Sequence, residues 1–198
     1  AKDVRESPLP GIYEVTLGAQ VVYVSADRKY LLKGDIIDLA TNESLTEARR
    51  DELRRTQLAS LDETSMISFG PDDAAHTITV FTDIDCTYCR KLHQEVGQFN
   101  EQSIRVNYLF YPRHGPGSES WAKADAVWCS ADQQAAMTRA KRGEQVKGEE
   151  CGATPVAAHY ELGNRVGVRG TPAILLDNGQ LISGYVPANE LATFLNSE

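Results

Sequence analysis

Residues 77–93 read TITVFTDIDCTYCRKLH, and the fold of the chain can be predicted outward from this segment. Its first six residues are β-branched or aromatic, as in a buried strand. Cys86 then opens a predicted helix through residue 100, because the apolar residues that follow recur on one helical face. Two cysteines three positions apart at a helix start lie on one side of the first turn. Cys86 and Cys89 are therefore predicted to be close enough to form a disulfide.

The position of Cys86 at the start of a helix predicts a reactive thiol. Unpaired backbone N–H groups and the positive end of the helix dipole favour the thiolate, which is the attacking species in disulfide exchange. We therefore expect Cys86 to be the nucleophile and Cys89 the buried resolving thiol. Asp85 opposes this by raising the pKa of the Cys86 thiol, and Arg90 and Lys91 are the cations available to offset it.

A zinc half-site and a plain structural disulfide are the alternatives for this motif. A structural zinc site generally needs two pairs of ligands, and the chain has one C-x-x-C. Cys129 and Cys151 could complete a four-cysteine site, although they lie far downstream and do not form a second motif of this spacing. The four histidines are scattered along the sequence. A redox role is the favoured interpretation, and no metal site is predicted.

Composition and charge exclude several classes of protein. The 198 residues are 41% hydrophobic and 24% charged, as in a folded globular protein. No window approaches the run of about 18 apolar residues that a membrane span requires, so we expect a chain that is not membrane-embedded. The net charge of −8 argues against a nucleic acid partner, which would need a basic face. The N-terminus has no apolar leader, so we expect either a cytosolic protein or a secretory signal that has been removed.

The N-terminal part predicts a small antiparallel β domain over residues 1–43. Short β-prone runs separated by turn signals lie at 12–17, 21–24, 30–33 and 36–39. Such a meander is marginal alone and needs a partner, in the same chain or in a second copy. Ser44 and Glu47 fit a capping box for a helix over 44–62. This helix is polar all round, which is typical of a linker between domains.

Residues 63–198 predict a larger α+β domain. Beyond the opening strand and helix, strands are predicted at 104–111, 173–176 and 180–183, and helices at 118–128, 133–142, 155–166 and 187–195. The predicted order is β-α-β, a helical insertion at about 113–160, then α-β-β-α. Asn178 and Gly179 predict a hairpin turn between the last two strands.

Cys129 and Cys151 flank the helical part of this insertion. A disulfide between them would contribute about 3 kcal/mol in the chain-entropy model. Such a bond persists only in an oxidising compartment. Two free buried thiols or intermolecular pairs are the alternatives.

Along nearly its whole length the chain resembles the DsbC branch of the bacterial periplasmic disulfide isomerases, the DsbC/DsbG family. The resemblance is carried by residues 77–93, by Gly-Thr-Pro-Ala at 170–173 and by Gly-Tyr at 184–185. The small N-terminal β domain and the charged helix match as well. The second cysteine pair is absent from the DsbG branch, so Cys129 and Cys151 favour the DsbC branch.

The resemblance implies a thioredoxin-like catalytic domain and a homodimer formed through the N-terminal sheets. It implies action on misfolded, disulfide-containing secreted proteins in the periplasm of a Gram-negative bacterium, after removal of a signal peptide. A membrane thiol reductant of the DsbD type would keep the cysteine pair reduced, and no cofactor is implied. The two thioredoxin-like domains would face each other across an apolar cleft with chaperone-like binding.

The resemblance also implies a substrate-binding role for Thr87, Tyr88, Thr171 and Pro172. Thr171 would guide the client backbone, and Pro172 would be a cis-proline that shapes the loop opposite the cysteines. The chain departs from the family pattern at Asp85 and Thr87, where small or uncharged residues are usual. Two other hypotheses remain at this stage: a monomeric oxidase that donates disulfides, and a holdase chaperone whose cysteines are incidental.

Overall fold

The computed structural model describes residues 3–149 and 151–197 and divides the chain into two compact units. The first runs through Leu61 and includes residues 165–167 and 178–180. The second contains the remainder of the chain. In the described residues, no helix combines the length and the apolar character needed to cross a lipid bilayer.

The first unit contains a four-stranded antiparallel sheet whose strands follow one another in chain order. Its strands are β1 (Asp3–Glu6), β2 (Ile12–Leu17), β3 (Gln20–Ser25) and β4 (Leu31–Leu32), and a separate small hairpin pairs β5 (Ile37–Asp38) with β6 (Glu43–Ser44). The predicted strand at 12–17 is confirmed, and its partner is two residues longer than predicted. The charged edge strand β1 was not predicted, because its residues are all exposed and follow no apolar alternation.

Helix α1 (Leu45–Leu58) belongs to the same unit and begins at the predicted cap. The Ser44 hydroxyl accepts a hydrogen bond from the backbone N–H of Glu47 at 3.1 Å. Instead of an apolar stripe, the helix packs on the sheet through Arg49, which is 8% exposed. Its guanidinium pairs with Glu14 at 3.1 Å and Asp3 at 3.0 Å. This explains how so polar a helix belongs to a compact unit.

The second unit contains a five-stranded sheet in the order β11-β10-β8-β9-β7. The strands are β7 (Ile67–Phe69), β8 (His76–Thr82), β9 (Ile104–Phe110), β10 (Ala173–Leu176) and β11 (Leu181–Ser183). The central strand β8 is parallel to β9 and antiparallel to β10. The prediction at 173–176 is confirmed, whereas the short edge strand β7 was not predicted.

Six α-helices of the described residues accompany this sheet. They are α2 (Thr87–Gln94), α3 (Val96–Glu101), α4 (Glu119–Trp128), α5 (Gln133–Lys141), α6 (Val156–Val166) and α7 (Ala188–Leu195). The prediction of one continuous helix over 86–100 is wrong, because the chain breaks at Glu95 into α2 and α3. The Glu95 carboxylate accepts hydrogen bonds from the Tyr185 hydroxyl and from the N–H of Ala188 at the start of α7. The break therefore coincides with an anchor for the C-terminal helix.

Replacing Ser44 by Ala should lower the free energy of unfolding by about 1 kcal/mol, because one N–H of the first turn of α1 loses its acceptor. Thr56→Ala is the matched control, since it removes an exposed hydroxyl from the same helix and improves helix propensity. Urea unfolding followed by circular dichroism compares the two. Equal stability of the two variants would contradict a role for the cap.

Candidate active site

The two predicted redox cysteines lie where β8 leads into α2. Cys86 is the N-cap residue of α2, and Cys89 lies in its first turn. Both are free thiols, 3% and 1% exposed. Because β8 is the central strand of the sheet and its last five residues are buried, the loop that carries Cys86 starts from the middle of the core. The motif is thus fixed at one edge of the buried core.

The loop between β8 and Cys86 is organised by the buried carboxylate of Asp83. Its Oδ1 accepts the backbone N–H of Asp85 at 2.8 Å. Its Oδ2 accepts the backbone N–H and the Nε–H of Arg113, at 2.9 and 3.0 Å. Burial alone would raise the pKa of Asp83, but these donors hold it below its ordinary value. A charged Asp83 therefore ties the cysteine loop to the segment after β9.

The pKa of Cys86 is lowered to about 5. The first cause is the hydrogen bond from the Cys89 thiol, which outweighs the opposing effect of burial. The side chain of Thr171, the backbone N–H of Cys89 and the charge of Arg113 act in the same direction. Cys86 is therefore a thiolate near neutral pH.

Cys89 has the opposite character. Burial raises its pKa well above the ordinary thiol value, and its hydrogen bond to Cys86 raises it further. The proton shared between the two sulfur atoms therefore resides on Cys89. One helical turn presents a charged nucleophile and a protonated, buried second thiol.

Thr171 and Pro172 lie opposite the cysteines. Ala173 pairs with Phe81 in the sheet, which places the loop before β10 next to the end of β8. The Thr171–Pro172 peptide bond is cis. The Cys86 sulfur lies 3.1 Å from the carbonyl oxygen of Thr171, to which the thiol form donates. The predicted loop and the predicted nucleophile are thus in direct contact.

The remaining predicted substrate-binding residues lie between the cysteines. Thr87 and Tyr88 are both exposed, and Tyr88 keeps 61% of its surface in contact with solvent. Pro172 is buried. The site therefore has two buried sulfur atoms beside an exposed aromatic side chain.

The negative charge of Asp85, expected to raise the pKa of Cys86, is paired with two cations. Arg90 contacts its carboxylate at 3.1 Å, and Lys123 on α4 contacts both oxygens at 2.9 and 3.1 Å. The other cation suggested by the sequence, Lys91, instead lies over the ring of Tyr185, 4.4 Å from its centroid. Lys123 was missed because it lies 38 positions away and no local pattern connects it to Asp85.

Cys129 and Cys151 are bonded to each other, with their Cα atoms 5.5 Å apart. Cys129 is the C-cap of α4, so the bond joins the end of this helix to the loop that follows α5. The two residues are therefore not ligands of a four-cysteine site with Cys86. Across residues 3–149 and 151–197, no group of three or more histidine, cysteine or acidic side chains is arranged to hold a metal ion.

Comparisons with known proteins agree with this architecture. The model of the thioredoxin-like domain matches residues 64–197, and that of the disulfide bond isomerase protein N-terminal domain matches residues 1–47. The chain is 38% identical to the thiol:disulfide interchange protein DsbC of Dickeya dadantii, over 98% of this chain and 80% of that protein. It is 34% identical to DsbC of Escherichia coli, over 99% and 81% respectively. The crystal structure of a disulfide interchange protein from Neisseria gonorrhoeae superposes with a TM-score of 0.60 at 27% identity, covering 69% of this chain and 97% of that one.

The pairing of Asp85 predicts opposite effects of two substitutions on the Cys86 thiol. Lys123→Met leaves the Asp85 carboxylate less neutralised and should raise the pKa of Cys86, whereas Asp85→Asn should lower it. The double variant should return close to the parent value. The measurement is the pH dependence of Cys86 alkylation, whose midpoint in the parent is expected at about 5. A midpoint that neither single substitution moves would show that this charge cluster is electrically isolated from the sulfur.

Proposed function

The chain belongs to the DsbC family of thiol:disulfide interchange proteins, and from this premise we propose that Cys86 and Cys89 isomerise and reduce non-native disulfides in secreted proteins. The observation that carries the proposal is that, within one helical turn, the pKa of Cys86 is lowered and the pKa of Cys89 is raised. A low pKa supplies the attacking thiolate at Cys86. A high pKa keeps Cys89 protonated until it is needed.

The first step is attack of the Cys86 thiolate on one sulfur of a client disulfide. The client S–S bond breaks, a mixed disulfide forms between Cys86 and the client, and the second client sulfur leaves as a thiolate that takes up a proton. Thr171 and Pro172 would align the client backbone, and the exposed Tyr88 and Thr87 would contact it. The 3.1 Å contact between Cys86 and the Thr171 carbonyl supports this placement.

The second step has two outcomes. If another client thiol attacks the mixed disulfide, the client gains a different pairing and the protein returns to its dithiol form. If Cys89 attacks the Cys86 sulfur, the client leaves reduced and a Cys86–Cys89 disulfide remains. Each reductive cycle therefore consumes two electrons, and a membrane thiol reductant of the DsbD type is the proposed partner that restores them.

The disulfide between Cys129 and Cys151 supports an oxidising location for this chemistry. We place the protein in the periplasm of a Gram-negative bacterium. In such a compartment the Cys86–Cys89 pair tends to be oxidised, which is why a dedicated reductant is required for isomerase activity.

Homodimerisation through the N-terminal unit is part of the proposal, since it would bring two catalytic units to one client with chaperone-like binding. The supporting observation is the edge strand β4, where Leu31 and Leu32 are 60% and 48% exposed. Unpaired apolar edges of this kind are normally covered. The opposite edge β1 carries alternating charges and is protected against pairing. We therefore propose β4 and its neighbouring apolar residues as the dimer contact.

Single-cysteine variants test the chemistry with a scrambled multi-disulfide protein as substrate. Cys86→Ala should reduce reshuffling to the background rate, because no thiolate attacks. Cys89→Ala should retain part of the isomerisation, lose net reduction and accumulate mixed disulfides through Cys86, detected by mass spectrometry. Reshuffling by Cys86→Ala would leave a holdase chaperone as the explanation. Net disulfide donation by a monomeric parent would identify an oxidase instead.

Leu31→Asp should convert the dimer to a monomer, because it places a charge at the proposed contact. Val4→Asp on β1 is the matched control, since Val4 is as exposed as Leu31 but lies on the charged edge. Sedimentation velocity distinguishes the two. A parent chain that sediments as a monomer, or equal dissociation by both substitutions, would refute the β4 contact.

A further inference from the structure

Lys141, in the last turn of α5, is a buried lysine beneath the cysteine pair. It is 3% exposed, whereas lysines are almost never fully buried unless their charge is matched. Its Nζ donates to the hydroxyl of Thr82 at 2.6 Å and to the carbonyl oxygen of Asp83 at 2.8 Å. Both acceptors are uncharged and lie at the end of β8. The ammonium is thus directed at the loop that leads to Cys86 and Cys89.

The charge that matches this ammonium is supplied by the Asp83 carboxylate and the Cys86 thiolate, because Cys89 keeps its proton. Burial lowers the pKa of Lys141, and a negative charge on Cys89, Asp83 or Cys86 opposes that effect, most strongly when it lies on Cys89. Lys141 in turn is the main charge that favours the thiolate form of Cys89, against the burial that disfavours it. The two groups are therefore coupled more strongly to each other than Lys141 is to Cys86.

Thr82 connects the two groups. Its hydroxyl accepts a hydrogen bond from Lys141, which leaves its own proton free to donate, and its side chain favours the Cys89 thiolate. The Thr82 hydroxyl therefore links the Lys141 ammonium to the Cys89 sulfur. An anion that forms on Cys89 is stabilised at once by a fixed donor and a fixed cation, although the sulfur has no access to water.

We propose that Lys141 is a positioning residue for the resolving thiol, and that acting through Thr82 it sets the share of mixed disulfides that Cys89 converts to reduced client. The inference rests on the proposed function, because it concerns the second step of that reaction. In this step the S–H bond of Cys89 breaks and its sulfur attacks the Cys86 sulfur. The Cys86–client S–S bond breaks, a Cys86–Cys89 bond forms, and the departing client thiolate takes the proton. The client disulfide is reduced, the dithiol is oxidised, and Lys141 keeps its own proton throughout.

Lys141→Met separates this role from a structural one. The substitution leaves the Thr82 hydroxyl and the Asp83 carbonyl oxygen without this donor, so the free energy of unfolding is measured as well and both phases are followed under conditions in which parent and variant are folded. Oxidised glutathione is the probe, and acid quenching followed by mass spectrometry resolves formation and decay of the Cys86–glutathione mixed disulfide. Formation should remain within about twofold of the parent, while decay should slow about tenfold, because an opposite charge near a thiol shifts its pKa by one unit or more.

The pH profile of the decay phase should move to higher pH in Lys141→Met. The titratable or charged groups that face Cys89 and Lys141 are Asp83, Cys86, Arg90, His93, Tyr108 and Arg113. Burial lowers the pKa of His93 to about 4 and raises that of Tyr108, so neither gains or loses charge near neutral pH. The movement of the profile therefore reports on Cys89 and Lys141.

Two further variants complete the test. Arg142→Met, the matched control, removes an exposed positive charge from the adjacent position and should leave both phases unchanged. Thr82→Val, which keeps the side-chain shape but removes the hydroxyl, should slow decay in the same direction. Equal decay rates in the parent and Lys141→Met, or equal slowing of both phases, would overturn the proposal. A parent that never forms the mixed disulfide would instead refute the proposed function itself.

Discussion

The buried carboxylate of Asp83 is the constraint on which the rest of the site depends. A charge in this position is tolerated only if its hydrogen bonds are satisfied, and three donors from Asp85 and Arg113 do so. These bonds fix the path of the chain from β8 to Cys86, and they bring the Arg113 guanidinium close enough to favour the Cys86 thiolate. One anion thereby determines both the geometry of the loop and part of its electrostatics.

The functional property of the site is the difference between its two thiols. A helix N-terminus alone would favour the thiolate form of both cysteines, since Cys86 is the N-cap of α2 and Cys89 lies in its first turn. Burial distinguishes them. Cys89 is enclosed by the core and stays protonated, and its S–H group donates a hydrogen bond to the Cys86 sulfur. The same proton thus lowers one pKa and raises the other. The reactivity of Cys86 depends on its partner as much as on the helix dipole.

Local patterns were sufficient to predict the motif, the strands at 12–17 and 173–176 and the cap at Ser44, because each is specified within a few residues. Two edge strands were missed: β1 is wholly exposed and follows no apolar alternation, and β7 has only three residues, too few to establish a period. The break at Glu95 coincides with contacts about ninety residues away, which no helical periodicity reveals. Lys123 and Lys141 look like ordinary solvated lysines in the sequence, because their acceptors lie 38 and 58–59 positions distant.

The helical insertion therefore contributes more than a cover for the sheet. Lys123 comes from α4 and Lys141 from α5, and they place positive charge at two residues next to the cysteines, Asp85 and Thr82. The Cys129–Cys151 disulfide joins the end of α4 to the chain beyond α5, so it encloses the helix that carries Lys141. In the chain-entropy model this cross-link is worth about 3 kcal/mol. A second, non-reacting cysteine pair thus restrains the element that supplies charge to the reacting pair.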